Sequence, residues 1–395
     1  GTMGAGIAVA CLRAGLPVTL LEADDAALAR GRDNVAKNLD GYVSRGRMSE
    51  DAKAGLMEKL AGTVDYAALG EADLVIEAVF EDLDVKKQVF ARLGAAAKPG
   101  AVLATNTSYL DINQIAAATR RPEDVIGLHF FAPAHIMRLL EIVRADKTAP
   151  EVIATGFALA RKLGKVGVLA GVCDGFIGNR ILAHFRKQAD YMVEDGALPW
   201  EIDAAMEAFG FPMGPFKVMD LSGLDISWAM RKRLAPTRPA EERYVEIADR
   251  VCEAGWLGRK TGRGWYLYEG GKARPNPEVE AIVLEESAKK GIVRRSFGAE
   301  EIQDRILSAM INEGARIVEE GIAQRPLDVD VVEIMGYGFP RWRGGPMCAG
   351  DIIGLDRVLA SIRAYGEEDA YYWRPAALLD RLVAEGKTFA DLNGA

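Results

Sequence analysis

Imidazole chemistry in this 395-residue chain falls to only three side chains, His129, His135 and His184. His129 ends the apolar run Val125-Ile-Gly-Leu-His129, and ligands of open α/β sheets bind beyond the carboxyl ends of their strands. Glu141 ends the next apolar run, Leu139-Leu-Glu141. If the two runs pair as antiparallel strands, the carboxylate meets the imidazole. A histidine so held is a general base whose protonated form is stabilised; the same pair also serves as a buried structural hydrogen bond. His135 and His184 close no strand and are expected to pack or to lie on the surface.

Gly1-Thr2-Met3-Gly4 precedes a helical apolar pattern through Ile7, Val9, Ala10 and Leu12. Glycines at such a turn either pack tightly or let a pyrophosphate approach the helix N-terminus, where unpaired N–H groups and the dipole favour anions. Glu22 favours the second reading. It ends the strand Val18-Thr-Leu-Leu-Glu22, about 20 residues after the glycines, where a carboxylate accepts hydrogen bonds from ribose hydroxyls and repels a 2′-phosphate. NAD is therefore expected over NADP. Asn106-Thr-Ser108 follows another strand and offers either polar contacts to an alcohol or carbonyl, or a cap for the helix from Asp111. Lys37, Arg45, Arg47, Lys53, Lys86 and Lys87 are expected on solvated helix faces, with some able to pair with phosphates.

Positioning these groups requires a sheet. Apolar runs at 74–80, 102–106, 125–130, 139–144 and 166–170 alternate with helical patterns at about 25–46, 49–60 and 84–97 and a helix from Asp111, as in a doubly wound α/β domain reaching to about residue 171. A βαβ unit opens on a strand, whereas this chain opens on the helix with no initiator Met. Roughly eight residues, a first strand plus the first Gly-x of a Gly-x-Gly-x-x-Gly turn, are thus expected upstream.

Beyond Cys173 the pattern is nearly all helix, and it repeats. Asn179-Arg-Ile-Leu matches Asp304-Arg-Ile-Leu, Val193-Glu-Asp-Gly matches Val318-Glu-Glu-Gly, Gly210-Phe-Pro matches Gly338-Phe-Pro, and Gly223-Leu-Asp matches Gly354-Leu-Asp. Two copies of one helical domain are expected in tandem. The expected organisation is a nucleotide-binding domain at 1–171, helical domains at 172–270 and 301–395, and a linker at 271–300 containing one helical stretch. Since Asp304 stands where the first copy has Asn179, maintenance of the repeat does not demand the amide, though either residue serves as a cap.

Composition excludes several classes. Lys plus Arg number 49 against 57 Asp plus Glu, a net charge of −8, which argues against a broad nucleic-acid surface. No apolar run approaches the roughly 18 residues of a membrane span, and nothing reads as a signal peptide. The four cysteines lack any Cys-x-x-Cys pair, so neither a metal site nor a disulfide framework is expected. A cytoplasmic location is expected.

Several motifs coincide in one family. Gly1-Thr-Met-Gly-Ala-Gly-Ile-Ala8, Glu77-Ala-Val-Phe-Glu-Asp82, Asn106-Thr-Ser108, Gly127-Leu-His-Phe-Phe131, Leu140-Glu-Ile-Val143 and Asp174-Gly-Phe-Ile-Gly-Asn-Arg180 together resemble the L-3-hydroxyacyl-CoA dehydrogenases. The tandem helical copies most resemble the dehydrogenase portion of multifunctional β-oxidation enzymes, in which an enoyl-CoA hydratase domain precedes it; since these include peroxisomal ones, the resemblance implies a peroxisomal location as the alternative, although the C-terminus is not of the Ser-Lys-Leu type. The resemblance implies a Rossmann-type NAD-binding domain followed by two tandem all-helical C-terminal domains. It implies His129 as acid/base, Glu141 as its orienting partner, and Ser108 and Asn179 near the reacting oxygen or thioester. The implied NAD site comprises Gly1, Thr2, Met3, Gly4, Glu22, Ala78, Val79, Glu81, Lys86 and Asn106, and the substrate is an acyl-CoA. Many members have Asn after His-Phe-Phe where this chain has Ala132. In single-repeat members the helical domains of two subunits pack together, so a monomer with an internal pseudo-dimer and an idle Asp304 is expected here. A hydroxy-acid dehydrogenase acting on a free acid, or a silent NAD-binding scaffold, remain the alternatives.

Overall fold

In the computed structural model, which describes residues 1–394, the chain divides into two compact units. The first holds Gly1–Asn179 with Glu320–Gln324 and Met335–Tyr337, and the second holds the remainder.

The first unit contains the sheets. Strand β1 (Val18–Leu21) runs parallel to β2 (Leu60–Thr63), while β3 (Leu74–Glu77), β4 (Val102–Thr105), β5 (Val125–Phe130), β6 (Leu139–Arg144) and β7 (Val166–Gly171) form a second sheet in that order. Neighbours in it are parallel except β5 and β6. Residues 131–138 between them are too few for a crossover helix, so the chain reverses and the pair is antiparallel. Every residue of β4 and β5 is buried, which accounts for their unbroken apolar sequence. The Thr2–Arg13 helix is apolar on more than one side for the same reason. Its Ile7 and Cys11 enter the core with Ile126, Leu128 and Leu140, and its Val9 and Leu12 pack on Val35 and Leu39 of the Asp25–Val43 helix.

The expected α/β order is present, with one strand more and one helix more, Pro150–Lys162, between β6 and β7. The helix expected at 49–60 ends at Glu58 and gives way to β2, whose Ala-Gly centre carries no apolar signal.

In the second unit the repeat is visible atom by atom. The Pro199–Phe209 helix corresponds to Pro326–Gly336, and Pro215–Ser222 to Pro346–Ile353. Asp203 accepts the N–H groups of Phe216 (2.9 Å) and Lys217 (3.1 Å), and Asp330 accepts those of Met347 (2.7 Å) and Cys348 (3.2 Å). Each aspartate thereby closes the open N-terminus of a helix that begins with proline. Gly214 and Gly345 permit the approach, because a Cβ at either would stand 2.3 Å from the aspartate.

The copies pack on each other within this unit. Phe339 meets the rings of Phe209 (5.8 Å) and Phe211 (5.5 Å), Gln303 donates to the Ala205 carbonyl (2.8 Å), and Glu313 binds both Arg180 (2.5 Å) and Arg316 (2.8 Å). Residues 271–300, read from composition as a linker, carry the expected helix, Pro277–Lys289, but are not a free tether. Strands β8 (Tyr266–Glu269) and β9 (Lys272–Pro275) form a hairpin over Gly270-Gly271, the helix buries Val279 and Val283, and Ser287 donates to the Glu194 carbonyl (2.7 Å).

Burial pushes the Asp330 carboxyl up to about 7 against the pull of the Met347 and Cys348 amides. A carboxyl raised in this way contributes most when protonated, so its contribution falls as pH rises from about 4 through 7. Asp330→Ala is therefore expected to destabilise the fold by about 1–3 kcal/mol through two unpaired amides. The deficit should be larger at pH 5 than at pH 8, read from urea midpoints.

Candidate active site

Antiparallel pairing of β5 with β6 sets His129 directly opposite Glu141. Nδ1 of the imidazole lies 2.6 Å from Glu141 Oε2, and the two residues are 3% and 0% exposed. A carboxylate only accepts, so Nδ1 carries the hydrogen and Nε2 is left as the lone-pair nitrogen. Glu141 Oε1 accepts two further bonds, from the N–H groups of Ile177 (3.2 Å) and Gly178 (3.1 Å). These amides belong to the turn after β7, where Phe176 adopts φ +50° in the left-handed region that non-glycine residues avoid. The buried Phe176 ring stands 5.6 Å from the imidazole, and Phe131 stands 4.4 Å from it. The result is a histidine of fixed tautomer and orientation between apolar rings, suited to taking and returning one proton at Nε2.

The segment after β4 is fixed by a second carboxylate system. Glu81 Oε1 accepts from the Thr107 hydroxyl (2.6 Å) and the Ser108 N–H (2.8 Å), leaving Ser108 half-buried with its backbone held. Asn106 turns inward, its Oδ1 accepting the Phe130 N–H at 2.9 Å. Its amide thus secures the strand end that carries His129.

Lys86 departs from the solvated helix face expected of it. It is 1% exposed, with its ammonium 2.7 Å from Glu77 Oε1 and 3.4 Å from Glu81 Oε2. Glu77 also accepts from the Thr105 hydroxyl and the Val79 N–H, both at 2.7 Å. A buried carboxylate needs a cation, and Lys86 is the one within reach.

The remaining residues assigned to a cofactor also converge. Gly1 begins the Thr2–Arg13 helix without a capping side chain, so its first N–H groups are available to an anion. Glu22 Oε1 lies 3.6 Å from the Gly1 nitrogen, and a Cβ on Gly4 would lie 3.8 Å from Ala78. Thr2 is exposed, Met3 packs on the core beneath, and Val79 is 43% exposed. A bare helix N-terminus with a carboxylate at the end of the neighbouring strand fits a diphosphate joined to a ribose diol.

Asn179, at the start of the Gly178–Asp195 helix, accepts a hydrogen bond from the Tyr337 hydroxyl at 2.9 Å. His135 and His184 pack, the first against Tyr42 at 5.8 Å between ring centroids and the second with Nε2 3.3 Å from Glu313 in the second unit. Sequence reasoning did not single out Phe131, Phe176 or Tyr337, nor the amides of Ile177 and Gly178. Backbone donors leave no residue signature, and Tyr337 is 158 positions from its partner.

Comparison with known proteins agrees with this geometry. The profile of the 3-hydroxyacyl-CoA dehydrogenase NAD-binding domain matches residues 1–173, and that of the family's C-terminal domain matches 175–268 and again 302–390. The peroxisomal bifunctional enzyme of Homo sapiens is 42% identical over 402 residues, covering 98% of this chain and 55% of the relative. The chain thus spans about half the length of the curated relatives it matches. Among solved structures, 3-hydroxybutyryl-CoA dehydrogenase from Escherichia coli aligns with TM-score 0.84 at 27% identity over 98% of this chain and 97% of that one. The dehydrogenase part of multifunctional enzyme 1 from C. elegans aligns with TM-score 0.68 at 27% identity, covering 96% and 87%. Residues 1–173 are an NAD-binding domain, and the chain belongs to the 3-hydroxyacyl-CoA dehydrogenase family.

Proposed function

We propose that this chain oxidises L-3-hydroxyacyl-CoA to 3-ketoacyl-CoA in fatty-acid β-oxidation, as the dehydrogenase portion of a longer multifunctional enzyme with an enoyl-CoA hydratase domain upstream. The observation that carries the reading is the buried His129–Glu141 pair, 2.6 Å apart at the carboxyl end of β5. Names of relatives, among them peroxisomal bifunctional enzymes, support the pathway and favour the peroxisomal alternative over a cytoplasmic location.

His129 Nε2 takes the proton of the 3-hydroxyl as the C3–H bond breaks. Glu141 stabilises the imidazolium and keeps Nδ1–H in place. NAD+, held by the 1–4 turn, Glu22 and the 78–81 segment, supplies the hydride acceptor when bound. In the reverse direction His129 returns the proton to the oxygen of the 3-ketone. Ser108 and Asn179 contact the reacting oxygen or the thioester, and the acyl-CoA thioester is preferred to the free acid.

The test is NADH oxidation with acetoacetyl-CoA. His129→Gln should lower kcat by roughly 10²- to 10⁴-fold with NADH affinity nearly intact, and Glu141→Gln should also be slow. His135→Gln and His184→Gln should keep most activity. A loss below tenfold for His129→Gln would refute the assignment, and equal use of free acetoacetate would favour a hydroxy-acid dehydrogenase.

Glu22 facing the ribose diol sets cofactor choice. NAD is expected to exceed NADP in kcat/KM by about tenfold or more, because a 2′-phosphate meets like charge and loses a hydrogen bond. Equal rates with NADPH would remove that role from Glu22.

The second helical copy is proposed as a support for the first, with Asp304 idle and domain boundaries near 171, 270 and 300. The packing of Phe339 on Phe209 and Phe211, and of Glu313 on Arg180, supports an internal pseudo-dimer in which the attached second copy takes the place of a second chain. Light scattering at micromolar concentration should give a mass near the chain's own 42.7 kDa. A dimer that persists on dilution would contradict this, as would loss of turnover in Asp304→Asn without loss of stability.

A further inference from the structure

Tyr337 lies just past the Pro326–Gly336 helix of the second repeat, yet belongs to the first compact unit. Its surroundings are those of the active site. Its ring meets Phe131 edge to face at 5.5 Å, and Phe131 in turn covers His129 at 4.4 Å. The same ring lies so close over Gly178 that a Cβ there would stand 2.0 Å from it. Gly178 is the residue whose N–H holds Glu141 Oε1, so no side chain fits where the carboxylate is anchored. The hydroxyl donates to Asn179 Oδ1 at 2.9 Å.

The geometry points to Tyr337 as a positioning residue, supplied by the second repeat, that fixes the Asn179 carboxamide so that its NH₂ faces the substrate oxygen. This rests on the dehydrogenase reading above. A free carboxamide turns about its terminal bond and presents oxygen or nitrogen with nearly equal ease. Toward a carbonyl or thioester oxygen only the NH₂ end is productive, since the other end sets two acceptors face to face. A hydroxyl donated to Oδ1 selects the productive rotamer before substrate arrives, and such preorganisation is what makes a donor effective in the transition state.

The repeat separates this role from packing. At the place equivalent to Tyr337, immediately before Gly-Phe-Pro, the first copy has Phe209, which is 5% exposed. Before Gly-Phe-Pro the first copy thus carries a ring with no hydroxyl, packed on Phe211 and Phe339. The oxygen of Tyr337 is an addition in the copy whose chain passes Asn179.

The decisive measurements use the full chain, with NADH and acetoacetyl-CoA. Tyr337→Phe keeps the ring and removes only the hydroxyl. It is expected to lower kcat about tenfold, with NADH affinity and melting temperature unchanged. In an Asn179→Ala background the same change should cost nothing further, because the group it positions is gone. A wild-type kcat for Tyr337→Phe would overturn the proposal, and so would an equal fold-loss in both backgrounds. A fall in melting temperature with kcat retained would mark the residue as structural and overturn it as well. If the unmutated chain binds NADH but does not turn over acetoacetyl-CoA, the dehydrogenase reading itself falls and takes this inference with it, a result distinct from an active chain indifferent to Tyr337→Phe.

Discussion

A carboxylate with no solvent exposure constrains everything around it. Glu141 is 0% exposed, and removing such a group from water costs several kcal/mol unless its lone pairs are met. Three donors meet them, from His129, Ile177 and Gly178. Each imposes a demand on the chain. The histidine requires β5 and β6 to pair antiparallel in one register, since a one-residue slip would turn the imidazole to the other face. The two amides require the turn after β7 to fold back, which Phe176 accommodates at φ +50°. Strain at Phe176 is thus tolerated because relaxing it would withdraw two hydrogen bonds from a buried charge.

The same logic recurs one strand away. Glu77 and Glu81 would repel each other, and Lys86 lies between them with its ammonium within 2.7 and 3.4 Å. So neutralised, Glu81 is free to collect the Thr107 hydroxyl and the Ser108 amide, and Asn106 is left to hold Phe130. Polar residues that motif reasoning sends to the cofactor are in large part occupied with loops of their own unit. That is compatible with a cofactor role, because a ligand site held by satisfied backbone is rigid before the ligand arrives.

What could be read from sequence follows from what leaves a periodic or chemical mark. Buried strands are largely apolar runs, so β3 to β7 are legible in the sequence, as are the helices Leu83–Ala96 and Ile112–Ala116 between them, whereas the Pro150–Lys162 helix before β7 is not, and the antiparallel pairing of His129 with Glu141 is legible only as a condition. The tandem copies are legible because their turns repeat in sequence, as at Gly210-Phe-Pro and Gly338-Phe-Pro, while the caps from Asp203 and Asp330 that accompany them are seen only in the structure. β2 is not legible, since a short strand of Leu-Ala-Gly-Thr has no pattern to show. Residues 271–300 read as a linker with one helical stretch, and the helix Pro277–Lys289 is there, but the packing of its Val279 and Val283 leaves too little mark in a segment rich in Gly, Pro, Lys and Glu to be read beforehand. At the site, side chains with intrinsic chemistry were found and the groups that hold them were not.

The places where the two copies disagree are as informative as those where they agree. Asn179 and Asp304 occupy equivalent positions, and each accepts a tyrosine hydroxyl, from Tyr337 at 2.9 Å and Tyr365 at 2.6 Å. The tyrosines are not equivalent to each other, one lying after the second helix of the repeat and the other in the Leu355–Gly366 helix. Both copies thus require an oxygen acceptor at this position, a need that aspartate meets as well as asparagine. What the first copy has beyond that need is an NH₂ group in place of a charge. In the proposed reaction a carboxylate there would repel a developing alkoxide, whereas an amide would donate to it. The hydrogen bond from tyrosine accounts for the oxygen, and the proposed chemistry at the His129–Glu141 pair would give the nitrogen a purpose.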